Sequence, residues 1–129
     1  MIHPHVQRDF DELKAVVPEA AIKELPDGTA WITVPKVRLL PNGAWNADAT
    51  TVFFVAPMGY PQARPDCFWA DEHLRLASGG VPKNTGIQAV PMAPGQYLWF
   101  SWHVNQWDPS KDDFITYLNV IKKRLRTPE

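Results

Sequence analysis

Apolar residues recur at steps of three or four along "VQRDFDELKAVV", at Val6, Phe10, Leu13 and Val17, and this spacing predicts a short amphipathic helix over 6–17 that Pro18 ends. The pattern then changes period. "WITVPKVRLL" (31–40) sets β-branched and aromatic residues around Pro35, and because proline cannot donate to a sheet ladder, an interrupted strand is expected, at an edge or a bulge. "TVFFVAP" (51–57) is an unbroken apolar run between turn-forming segments and reads as a strand buried on both faces. "DCFWA" (66–70) reads as the next strand, after a stiff proline turn. From 71 to 96 the pattern dissolves into "ASGG", "VPKNTG" and "PMAPGQ", and a long irregular loop is expected, of the kind that is usually functional or mobile. "YLWFSWHVNQW" (97–107) is aromatic and half-alternating. The last segment predicts a helix: Ser110 and Asp113 resemble a capping box, and Phe114, Leu118, Ile121 and Leu125 form an apolar stripe. Lys122, Lys123, Arg124 and Arg126 then fall where the helix dipole favours cations.

Composition narrows the class. The chain has 129 residues, the length of one domain (1–129) and enough for a core. Its 13 prolines and 6 tryptophans favour strands and rigid turns around aromatic packing over a helical bundle. A net charge of -1 gives no global reason to bind nucleic acid or acidic lipid. No apolar run approaches the roughly 20 residues of a membrane-spanning helix. The one cysteine cannot form an intramolecular disulfide, the N-terminal stretch lacks a signal-peptide pattern, and a cytoplasmic protein is expected. His3, His5, His73 and His103 share no metal-ligand spacing, and "SGG" and "NTG" lack the strand-to-helix context of a phosphate loop, so no cofactor is expected.

The run "TVFFVAPMGYPQARPDCFW" is similar to the middle of the ubiquitin-conjugating-enzyme (UBC) fold, where a buried strand leads into a Tyr-Pro turn, a second proline and the next strand. Tyr60, Pro61 and Pro65 carry that likeness, with the Tyr60 ring expected to pack on the turn and keep its hydroxyl wet. Trp107, Pro109 and the helix from Ser110 follow in the family's order. Within the superfamily, "GYP...RPD.FW" and the Phe100-Ser101-Trp102-His103 segment most resemble the divergent prokaryotic family E. The resemblance spans about residues 50–126. It implies an α+β, UBC-like domain with an N-terminal helix, an antiparallel meander of about four strands, an irregular segment and a C-terminal helix. The two further helices of a typical eukaryotic member do not follow in this sequence.

A conjugating enzyme carries its cargo as a thioester on an exposed cysteine shortly before that tryptophan. Counting back from Trp107 by the family's spacing lands near Trp99, and residues 70–129 contain no cysteine. Cys67 falls instead in the expected strand after the Tyr-Pro turn, where a structural, buried and inert thiol is expected. The family's His-Pro-Asn segment has a loose counterpart in "VPKN" (81–84), without the histidine. Two other residues could carry chemistry: Ser101 and His103 would share a face if the segment is extended, although a third group to orient them is missing. Asp112 and Asp113 read as cap and dipole support at the helix start, and Trp99, Trp102 and Trp107 as core or as a binding platform. The resemblance thus implies a non-catalytic binding or accessory component of a ubiquitin-like modification pathway, with a ubiquitin-like protein and its activating enzyme as partners. The alternatives are an active transferase using Ser101 or His103, and a UBC-fold interaction module with no ubiquitin-like partner.

Overall fold

A computed structural model describes residues 2–90 and 93–129. Helix α1 (Pro4–Val16) opens the chain, six strands follow as β1 (Ala21–Glu24), β2 (Ala30–Arg38), β3 (Ala49–Ala56), β4 (Phe68–Asp71), β5 (Thr85–Val90) and β6 (Ala93–Phe100), and helix α2 (Phe114–Leu125) closes it. The strands form one antiparallel sheet in the order β1-β2-β3-β4-β6-β5. The architecture is the expected UBC-like α+β one, with a larger sheet than about four strands. The added strands are β1 and β5, and the β5–β6 hairpin occupies the second part of the expected 71–96 loop, from Thr85 onward. "TGIQAV" escapes a periodicity reading because β5 is an edge strand with only Val90 buried, so it has no apolar face to display. Pro91 and Met92 of that expected loop lie outside the described residues.

Both helices cover one face of the sheet. Phe10 and Leu13 of α1 and Phe114, Tyr117, Leu118 and Ile121 of α2 meet Ile32, Val34, Val52, Phe54, Phe68 and Phe100 in a single core. The side chains of β3 alternate, so only Thr50, Val52, Phe54 and Ala56 are fully buried. On its other face, Phe53 and Val55 are half-buried under a smaller cluster of Leu25, Trp31 and Val90, where Trp31 stacks on Phe53 at 5.2 Å. The expectation of two fully buried faces is corrected accordingly. Pro35 sits at a bulge, where the β2–β3 register slips between Val34 and Val37 and Lys36 takes a φ of 57°.

The C-terminal helix begins as expected, but on a different cap. Asp113 accepts from the Thr116 backbone N–H, and the Thr116 hydroxyl accepts from the Asp113 N–H, closing the reciprocal pair. Ser110 lies outside the helix and donates its N–H and hydroxyl to Asp108. Asp113→Ala removes the cap, and a loss of about 1 kcal/mol is expected in chemical unfolding, with Ser110→Ala well below it. Arg124 lies in the last turn of α2, where the dipole favours a cation as expected, and it is also buried. It is 3% exposed, with its guanidinium beneath Phe100 and Trp102 and its N–H groups donated to the carbonyls of Lys83, Thr127 and Glu129.

Candidate functional site

Tyr60, Pro61, Pro65 and Trp107 prove to be neighbours that fix one corner of the sheet. The Tyr60–Pro61 peptide is cis, and both prolines are buried. The Trp107 indole N–H donates to the Pro61 carbonyl at 2.8 Å, which ties the Tyr-Pro turn to the segment preceding α2. Tyr60 stacks on Phe114 at 4.5 Å. Its hydroxyl is not wet: the residue is 4% exposed and donates at 2.7 Å to Asp9, itself buried on α1. A lone apolar-to-polar step in a helix stripe hides this, because Asp9 lies between Val6 and Phe10 on the buried face. Burial, the Asp9 hydrogen bond and the Asp9 charge all hold the Tyr60 phenol well above its ordinary range.

The turn delivers Asp66 and Cys67 to the start of β4. Cys67 is not within the strand, as the pattern implied. It immediately precedes it with a φ of 60°, a left-handed backbone that costs a non-glycine residue about 1 kcal/mol. Its backbone is held from two sides: the Cys67 N–H donates to the Trp102 carbonyl at 2.9 Å, and the Tyr117 hydroxyl donates to the Cys67 carbonyl at 2.5 Å. The side chain is half-buried. Burial pushes the thiol up, the Trp102 backbone N–H opposes this, the Asp66 charge adds to the rise, and a hydrogen bond from the Trp99 side chain again opposes it.

Of the two expected catalytic residues, His103 gains an orienting partner. Beyond the end of β6 the chain is irregular, and the His103 ring is turned to Asp66, with Nδ1 and Oδ1 2.5 Å apart. Ser101 is half-buried and its N–H donates to the Asn84 carbonyl at 2.8 Å. Asn84, the loose counterpart in "VPKN", is exposed, has a φ of 61° and serves this site through that carbonyl.

The structure therefore assembles a group that no sequence spacing displays. Asp66, Cys67 and His103 each bring a carboxylate oxygen, a sulfur and a ring nitrogen within 4.8 Å of one another. Asp66 and His103 are 59% and 58% exposed in their side chains, so the cluster opens to solvent beside a half-buried thiol. Carboxylate, thiol and imidazole are the parts of a nucleophilic relay, and they are also donors of the kind a divalent transition metal takes. The absence of ligand spacing among the histidines concealed this, since the donors come from segments 37 residues apart in sequence. Asp66 is the residue that sequence reasoning missed, visible only as the acid preceding cysteine in "RPDC". Trp99, Trp102 and Trp107 are each half-buried: Trp102 and Trp107 pack against the main core, and Trp99 pairs across to Trp69 on β4.

Among the described residues, no helix is long and apolar enough to cross a membrane. No curated protein and no solved structure matches the chain. A family model does, that of prokaryotic E2 family E, over residues 10–127. That match runs from within α1 to beyond the end of α2, taking in the whole sheet, the Tyr-Pro turn and the Asp66–Cys67–His103 cluster, and the chain belongs to prokaryotic E2 family E.

Proposed function

We propose that the chain works in a ubiquitin-like modification pathway, in the cytoplasm, by engaging the C terminus of the modifier or the enzyme that carries it in activated form, at the surface around Asp66, Cys67 and His103. One observation carries this reading. The nucleophile of a conjugating enzyme, counted back from Trp107, falls near Trp99 on β6, and Cys67 immediately precedes β4, the strand that pairs with β6 through Phe68 opposite Phe100 and Trp69 opposite Trp99. The thiol is thus beside the place where such a scaffold handles an acyl group, although it arrives from another strand. A purely accessory role rests only on the missing cysteine before Trp107, and this proximity favours a surface that meets the activated C terminus directly.

The reading is tested by mixing the chain with an activating enzyme, ATP and a ubiquitin-like protein from one modification pathway. The expected outcome is a complex weakened by Asp66→Lys and His103→Glu, both at exposed positions where folding is little affected. A modifier or activating enzyme that binds equally to these variants would place recognition elsewhere. Absence of any complex or adduct with pathway components from the organism of origin would leave an interaction module with no ubiquitin-like partner.

A further inference from the structure

Asp66, Cys67 and His103 bring three different kinds of donor atom into one small volume. A carboxylate oxygen, the sulfur and a ring nitrogen all lie within 4.8 Å of one another. Around a tetrahedral ion with bonds of about 2.0–2.3 Å, neighbouring donors stand about 3.3–3.8 Å apart. The cluster has that scale, and the 2.5 Å between Asp66 Oδ1 and His103 Nδ1 has to open by only about 1 Å. Both side chains are more than half exposed, at 59% and 58%, and have room for that adjustment. The donors come from two segments, and the backbone fixes the distance between them. The Cys67 N–H donates to the Trp102 carbonyl at 2.9 Å, which joins one donor residue to the chain neighbour of another. The Tyr117 hydroxyl holds the Cys67 carbonyl from the side of α2. A donor set held in this way exists before an ion arrives, so little ordering entropy opposes binding.

We propose that Asp66, Cys67 and His103 form a binding site for a divalent transition metal of the zinc class, with the fourth position left to water. The donor set selects the ion. Thiolate and imidazole suit zinc and cobalt, whereas magnesium and calcium take oxygen ligands, of which this cluster has a single carboxylate. Three protein ligands beside an open fourth position is the arrangement of a zinc centre that meets a ligand, and the exposed side of the cluster is the way in. The class of group it takes there is an anionic or carbonyl oxygen. Cys67 binds as the thiolate and its proton passes to solvent as the ion enters, so no oxidant or reductant is consumed. The site does not depend on which protein this surface engages.

Cobalt(II) is the probe, because its absorption spectrum reports sulfur ligation and coordination number together. Titration of the full chain is expected to load one Co2+ per chain with a thiolate-to-metal charge-transfer band, displaced by Zn2+ and untouched by excess Mg2+. Cys67→Ser abolishes the band while keeping both backbone ties. His103→Gln and Asp66→Ala each weaken Co2+ binding by about 100-fold, the upper end of what loss of even an outer-shell partner costs. Their metal-free unfolding midpoints stay near the parent's, because an exposed ion pair contributes little to stability. Added Zn2+ raises the midpoint of the parent and leaves that of Cys67→Ser in place. Acetate shifts the d–d bands of the cobalt form by taking the open position. Cobalt bound without a sulfur band, or bound equally by His103→Gln, overturns the proposal and puts the ion elsewhere, His3, His5 and His73 being the other imidazoles. A sulfur band with d–d bands indifferent to acetate overturns the open position.

Discussion

Arg124→Ala is expected to lower the unfolding free energy by about 3 kcal/mol, a cost of the size seen when a buried group with several partners is removed. The side chain does two things at once. Its stem and guanidinium fill the space against Phe100 and Trp102, and its N–H groups gather the carbonyls of Lys83, Thr127 and Glu129. Arg124→Lys keeps a charge but loses the planar fork, so it recovers less than half of the loss. Hydrogen exchange locates the effect: the Lys83 amide, bonded to the Glu129 carbonyl at 2.9 Å, loses protection in Arg124→Ala before the β2–β3 amides do. A loss under 1 kcal/mol with unchanged Lys83 protection would show that the guanidinium is a passenger between the two rings.

Alkaline unfolding supplies the second large effect. Tyr60 and Tyr117 both have phenols raised above the ordinary value, Tyr60 by burial first and then by the Asp9 hydrogen bond and charge, Tyr117 by burial first and then by the charges of Cys67 and Asp66. The folded chain therefore keeps two protons that the unfolded chain releases near pH 10. Their contribution is complete below that pH and is lost as pH rises beyond it, at about 1.4 kcal/mol per pH unit for each tyrosine. Against a typical total of about 5–15 kcal/mol, two such groups are enough to unfold the chain within a few pH units. Tyr60→Phe with Tyr117→Phe starts from lower stability at neutral pH, having lost the bonds to Asp9 and to the Cys67 carbonyl. Its stability then falls less steeply than the parent's between pH 10 and pH 11 (~ range set by the unfolded phenol). Parallel curves for the two proteins would mean that these hydroxyls titrate alike in both states.

Some of this molecule is written in local pattern and some is not. Helix α2 is legible because Phe114, Leu118, Ile121 and Leu125 announce one buried face, and helix α1 for the same reason. The Tyr-Pro and Trp-Pro segments are legible as family features, and they lie together, although Tyr60's bond to Asp9 is not: a buried acid looks like any other charge in a helix. Strand β5 is illegible because an exposed edge has no apolar face to show. The site is illegible for a different reason. Asp66 and Cys67 precede β4 and His103 follows β6, and only the pairing of those two strands, Phe68 opposite Phe100, brings their ends into contact. Long-range register is a property of the whole sheet, and no window on the sequence contains it.

The ties that hold this corner end on main-chain carbonyls: Trp107 on Pro61, Tyr117 on Cys67, the Cys67 N–H on Trp102 and the Ser101 N–H on Asn84. A carbonyl is supplied by every residue type. None of these four bonds therefore uses a side chain at 66, 67 or 103, and the corner can keep its shape while those side chains change. A chain with other side chains at the three positions would keep all four of these backbone ties.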